Sequence, residues 1–277
     1  MHIFITGAKG QLGGDAALEA LRRGWRVTAV DRGDFDLTDP VRSITALALA
    51  KPDAVLHCAA YTAVDQAESE AGQAAAVNAA ATQVIAEYCR LTGTWLAYIS
   101  TDYVFDGSGD APRDTDAIPA PLNVYGQTKL AGELAAACCE KHMIIRTSWV
   151  FGRGGGNFVK TMRRLGSERA EIRVVNDQIG APTYTVDLAR LLCDMLARPV
   201  TGVYHATNAG YCSWADFARE IMVQTKLPAK IVPIPTAEYP QAALRPKNGR
   251  LSPASLLRAG YTPLPGWEDA LGRFLGE

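Results

Sequence analysis

The chain lacks most of the signals that would announce a metal centre or a disulfide scaffold. Its four histidines, His2, His57, His142 and His205, have no metal-like spacing, and no protein-encoded metal site is expected. The six cysteines (Cys58, Cys89, Cys138, Cys139, Cys193 and Cys212) form no Cys-x-x-Cys pair and fall mostly in apolar stretches, so they are expected as buried thiols. Neither sign of charge dominates. With 28 Lys and Arg against 29 Asp and Glu, the net charge is -1, which argues against a nucleic-acid partner. No apolar run approaches the roughly 18 to 20 residues that span a bilayer, so no membrane partner is expected. Met1 leads directly into a β-rich run without a signal-peptide pattern, and a cytoplasmic location is the expectation. Internal repeats and low-complexity tracts are missing too. What remains is 277 residues, 48% of them hydrophobic, enough for one large α/β unit and a smaller lobe.

The first informative segment is at the start. His2 to Thr6 reads as a short buried strand running into Gly7-Ala-Lys-Gly10-Gln-Leu-Gly13, and a helix carrying Ala16, Leu18 and Leu21 follows. Glycines at this spacing let the backbone turn tightly and approach a pyrophosphate, whose charge then sits against the helix N-terminus. The turn is one residue longer than Gly-x-Gly-x-x-Gly but keeps its physical role. Next, Arg26 to Asp31 reads as a second strand ending in an acid, where a carboxylate would meet an adenosine ribose.

Apolar β-rich runs alternate with helical segments through the first half, the pattern of a doubly wound parallel α/β sheet of Rossmann type. Strands are predicted near 2–6, 26–31, 54–58, 95–100 and 143–147, with helices near 12–23, 40–50, 72–92 and 124–139. Regularity returns in a helix near 185–197 and a strand over 202–206, both read as rejoining the main sheet. Residues 1–150 plus about 185–206 are therefore expected to form the dinucleotide-binding domain, with about 151–184 and 207–277 as a discontinuous substrate-binding lobe.

Ligands bind such a sheet beyond the carboxyl ends of its strands. After the third strand comes His57-Cys58-Ala59-Ala60-Tyr61-Thr62, whose small residues would let the backbone approach a flat cofactor. After the fourth come Ser100 and Thr101, whose hydroxyls could reach a substrate oxygen. Tyr125 and Lys129 complete the pattern. Four residues apart on a helix supported by Leu130 and Leu134, they set a phenol beside an ammonium that would lower its pKa and fit it to protonate a carbonyl oxygen. The spacing alone is common on amphipathic helices. It gains weight from the dinucleotide turn.

Together these segments resemble the extended short-chain dehydrogenase/reductase superfamily and, within it, the dTDP-4-dehydrorhamnose reductase family. The resemblance runs nearly end to end. It rests on the glycine turn, Thr62 to Glu68, Val77-Asn78, Ser100 to Phe105, Pro121 to Gly126, Arg146 to Gly152, Asn157-Phe158, Asn176 to Thr183 and Arg245-Pro246. The glycine turn and Tyr-x-x-x-Lys specify only the superfamily; the strings starting at Ser100, Thr147 and Asn176 are narrower.

The resemblance implies reduction of the C4 ketone of dTDP-4-dehydro-L-rhamnose to dTDP-L-rhamnose, with NADPH as cofactor and NADH as the alternative. It implies Thr101, Tyr125 and Lys129 as catalytic residues. Cofactor contacts would come from Gly7, Lys9, Gly10, Gln11, Leu12, Gly13, Asp31, Arg32, Asp36, Leu37, Cys58, Ala59, Ala60, Tyr61, Thr62, Tyr125 and Lys129. Here Asp31 suits free ribose hydroxyls, whereas Lys9 and Arg32 could pair with a 2'-phosphate. The dTDP-sugar would meet Thr101, Asp102, Trp149 and Asn157, with Arg245 suited to its diphosphate. One departure is visible: the family often carries serine where this chain has Gly249. Other readings stay open, namely a nucleotide-sugar 4-ketoreductase of opposite stereochemistry and a non-catalytic NADP-binding regulatory subunit. Oligomeric state, including a homodimer, also stays open.

Overall fold

The computed structural model describes residues 1–276. Its first half alternates strand and helix: β1 (His2–Thr6), α1 (Gln11–Arg22), β2 (Arg26–Val30), α2 (Pro40–Ala50), β3 (Ala54–His57), α3 (Val64–Ala67), α4 (Ala71–Ala75), α5 (Ala81–Thr92), β4 (Trp95–Thr101), α6 (Val124–Ala137) and β5 (His142–Thr147). Then come β6 (Val150–Phe151), α7 (Phe158–Glu168), β7 (Glu171–Val175), β8 (Ile179–Gly180), β9 (Thr183–Tyr184), α8 (Thr185–Ala197) and β10 (Gly202–His205). The chain finishes with β11 (Cys212–Ser213), α9 (Trp214–Thr225), β12 (Lys230–Ile234), α10 (Ala254–Arg258) and α11 (Trp267–Leu275).

Six strands form one parallel sheet in the order β2-β1-β3-β4-β5-β10. Its strands are nearly continuous apolar runs because both faces are covered. On one face Ile3, Ile5, Leu56 and Ile145 pack with Leu12, Ala16 and Ala20 of α1 and the apolar side of α8. On the other, Phe4, Val55, Leu96 and Ile144 meet Leu47 of α2, Ile85 and Cys89 of α5 and Ala136 of α6. The β4–β5 register places Thr101 directly beside Thr147 at the carboxyl end of the sheet.

Three expectations change in the structure. The helix expected over 72–92 is interrupted by a π-helical turn at Ala76–Ala80. There the Asn78 carbonyl accepts from the Tyr98 and Thr82 hydroxyls, while its side chain accepts from Tyr61 N and donates to Thr128. Leu18, Leu21 and Leu134 lie on helices as expected but point outward, at 62%, 56% and 66% exposure. The sheet demands close approach, so the small face of α1 is buried instead. Finally, Leu256, Tyr261 and Leu264, assigned from sequence to the smaller lobe, join the core of the main sheet.

A second core holds the lobe together. Phe151, Val159, Met162, Ile172, Val174 and Tyr184 pack against Phe217 and Ile221 of α9 and Trp267, Leu271 and Phe274 of α11. β7 and β12 pair beneath them.

Candidate active site

Because β2 and β3 flank β1 on opposite sides, the chain direction diverges there and a crevice opens beyond the strand ends. Gly7 turns into it with φ +68, and a Cβ at this position would lie 2.8 Å from Ala59 N. A Cβ on Gly13 would lie 2.3 Å from the Gly7 carbonyl oxygen. Only glycine permits so tight a turn against the segment after β3. Gly10 is the N-cap of α1 and supplies no side-chain cap, so the first N–H groups of the helix are available to an anion. From this turn a cavity of about 860 Å³ runs to Tyr125, Lys129 and Thr101.

Gly7, Gly10, Gln11, Leu12, Gly13, Asp31, Arg32, Asp36, Leu37, Cys58, Ala59, Ala60 and Thr62 all line that cavity. Two residues expected with them do not. The Lys9 backbone N–H donates to Asp31 Oδ2 at 3.0 Å, and its ammonium sits near Gly33. The Tyr61 hydroxyl turns away to donate to Glu70 at 2.8 Å. Asp31 also accepts from Arg32 N at 2.8 Å, so backbone donors hold both of its carboxylate oxygens. Behind the wall, buried His57 bridges Thr6 and Thr82. Burial pushes its pKa down to about 3, so it joins β1, β3 and α5 as a neutral ring.

At the far end, Asn123 caps α6 by accepting from Gly126 N at 2.8 Å, and the helix sets Tyr125 and Lys129 one turn apart. The Lys129 ammonium is buried, donates to the Ile99 carbonyl at 2.7 Å and lies 4.1 Å from the Tyr98 ring centre. Desolvation lowers its pKa to about 7, with Glu133 and Cys58 opposing. Glu133 is itself fixed by Arg146 at 2.9 and 2.7 Å and by Ser100 at 2.5 Å. The Ser100 hydroxyl is therefore spent on Glu133, and the reach expected of it toward a substrate falls to Thr101.

Burial pushes the Tyr125 phenol up to about 12, and the Thr101 hydroxyl opposes this by hydrogen bonding. The lowered phenol pKa expected from Lys129 is not seen. Burial is the dominant cause, and the ammonium that would have opposed it is drawn onto the Ile99 carbonyl. The result is a protonated phenol at neutral pH. Thr101 Oγ1 accepts from Tyr103 N at 3.2 Å and donates to Asp102 Oδ1 at 3.1 Å. Burial raises the Asp102 carboxyl to about 7, with Thr101 opposing.

Of the residues expected at the sugar nucleotide, Thr101, Asp102 and Trp149 line the cavity. Trp149 takes the left-handed backbone conformation, φ 47, and stacks on Trp214 with ring centres 3.6 Å apart at 12°. Strain of this kind collects at functional sites. Asn157 and Arg245 are outside the lining. Asn157 caps α7 by accepting from Lys160 N at 3.0 Å and donates to Gln11 Oε1 at 2.9 Å and Gly152 O at 2.8 Å, so its amide ties the lobe to the glycine turn. Arg245 pairs with Asp65 through two bonds, 3.0 and 2.7 Å. Trp214 and Thr147 line the cavity without having been singled out from sequence. Trp214 is the first residue of α9, and an aromatic at a helix start was the available signal.

A family model described as the RmlD substrate binding domain matches residues 1–277. The chain belongs to that family. It is 41% identical over 303 residues to the dTDP-4-dehydrorhamnose reductase of Escherichia coli (strain K12), with 100% of this chain and 98% of the relative covered. A dTDP-4-keto-6-deoxy-D-glucose reductase of Streptomyces niveus is 38% identical over 273 residues, covering 97% of this chain and 94% of the relative. Among solved structures, the dTDP-4-dehydrorhamnose reductase of Bacillus anthracis str. Ames in complex with NADP superposes with a TM-score of 0.96 at 40% identity, covering 99% of this chain and 98% of that one.

Proposed function

We propose that this RmlD-family protein reduces the C4 ketone of dTDP-4-dehydro-L-rhamnose to dTDP-L-rhamnose with NADPH, the last step of dTDP-rhamnose synthesis. The observation that carries the reading is that Thr101, Tyr125 and Lys129 line the same cavity as Gly7, Gly10 and Gly13 of the glycine turn. The full-length likeness to reductases of this name supports the substrate.

The residues fit a dinucleotide. A Cβ at Gly7 or Gly13 would fill the cradle, and the uncapped start of α1 suits a pyrophosphate. Asp31 would meet the adenosine ribose, and Arg32 beside it would take a 2'-phosphate. When bound, the nicotinamide supplies hydride to the ketone carbon. Tyr125, kept protonated by burial, gives its proton to the ketone oxygen as charge develops there. Thr101 turns its hydroxyl from Asp102 to the same oxygen, and Lys129 in its protonated form supplies positive charge near the phenol. Trp149 and Trp214 form an apolar platform for the sugar nucleotide. Arg245 reaches the diphosphate by leaving Asp65.

The Streptomyces relative favours one second reading, a 4-ketoreductase acting on another dTDP-deoxysugar. Purified protein with dTDP-4-dehydro-L-rhamnose and NADPH or NADH, with product configuration read by NMR, decides between them. The rhamno product with a higher specificity constant for NADPH is expected. Formation of the C4 epimer selects the second reading, and no consumption of either cofactor overturns both.

A further inference from the structure

We propose that the Thr147 hydroxyl is a binding group of the cleft, hydrogen-bonding an uncharged hydroxyl or primary amide of the reactants beside Thr101. The inference rests on the reductase reading and adds a residue to its site. Thr147 ends β5 in register with Thr101, lines the cavity and is 5% exposed. Its Oγ1 is buried with no hydrogen-bond partner among the described residues.

The hydroxyls around it are all engaged. Ser100 donates to Glu133 at 2.5 Å, Thr101 to Asp102 at 3.1 Å and Ser148 to the Ala181 carbonyl at 2.8 Å. The other orphan, Arg113 Nε, belongs to a side chain already bonded to Asp106 and Ser108 and is outside the cavity lining. A buried hydroxyl left without a partner destabilises a fold, and valine would fill the same volume without that penalty. The free protein gains nothing from threonine here. A bound reactant does.

Position selects the ligand chemistry. Thr147 lines the cavity directly beside Thr101 in the sheet register, next to the hydroxyl proposed to meet the ketone oxygen. A hydroxyl both donates and accepts, so it matches the carboxamide of a nicotinamide or a hydroxyl of the sugar.

Thr147→Val and Thr147→Ser separate these roles. Thermal unfolding of the free Thr147→Val protein should match or exceed wild type, because no internal bond is lost. Ligand affinity should fall by about tenfold, the effect of one uncharged hydrogen bond, and Thr147→Ser should restore it. Dissociation constants are measured by thermal shift and tryptophan fluorescence with NADPH alone and then with dTDP-L-rhamnose. Weakening with NADPH alone assigns the carboxamide; weakening confined to the sugar nucleotide assigns the sugar. Wild-type affinity for both in Thr147→Val overturns the inference while leaving the reductase reading intact. Wild-type protein stabilised by neither ligand overturns both.

Discussion

Lys129 donates from its ammonium to the Ile99 carbonyl at 2.7 Å, so the cation one helical turn from Tyr125 is anchored to the end of β4. Its pKa has fallen to about 7 from the 10.5 of a free lysine. Between those values the unfolded chain holds the extra proton, and the stability contribution of this site rises with pH. Below about pH 7 the full penalty persists. Lys129→Met should therefore melt above wild type near neutrality by a few degrees, at about 2–4 °C per kcal/mol, while losing most turnover. The difference in melting temperature should narrow as pH approaches 10; a difference constant with pH sinks the assignment.

Tyr125→Phe keeps the ring packed edge-on against Tyr103, with ring centres 5.6 Å apart at 78°, and removes only the acidic proton. NADPH affinity should hold, while kcat for ketone reduction falls by about 10²–10⁴-fold, the usual contribution of a general acid. Because the phenol sits at about 12, it should contribute no ionisation to the rate profile between pH 6 and 9. Near-wild-type turnover would remove Tyr125 from its role.

Arg245 is the residue whose expected partner and observed partner differ. Asp65, about half exposed, holds the largely buried Arg245 guanidinium through two bonds. A diphosphate engaging Arg245 must replace both of them. Arg245→Ala should raise KM for the sugar nucleotide about tenfold, leaving kcat and NADPH affinity near wild type. Asp65→Ala should lower that KM. If KM is indifferent to both, Arg245 only fastens the segment around Ala243 to α3.

The sheet was legible because parallel strands buried on both faces are short apolar runs between helices, and its observed edges fall within a residue or so of those predicted. Gly7, Tyr125 and Lys129 were legible because local spacing carries their chemistry. Residues whose place depends on partners far along the chain were not. Thr147 matters through its register with Thr101, and Trp214 through its stack on Trp149, 65 residues earlier. Helical periodicity located α1 and α6, yet it could not say that Ala16 and Ala20 face the sheet while Leu18 and Leu134 face outward. That choice is made by how close the sheet lets each helix come.

Gly249 stands where the resemblance leads one to expect serine. A Cβ there would lie 2.6 Å from Asp102 Oδ2, so a serine would press on the carboxyl that accepts from the Thr101 hydroxyl. Asp102 titrates at about 7 because burial disfavours its charge. As pH rises through that value, the carboxylate claims the Thr101 hydroxyl and draws it from the ketone oxygen. Reduction should slow with rising pH, and Asp102→Asn should remove that part of the decline. Gly249→Ser should move the Asp102 limb, because it displaces the carboxyl, without changing NADPH affinity. The check is kcat against pH at saturating substrates for the three proteins; superimposable profiles would show that Asp102 does not govern Thr101.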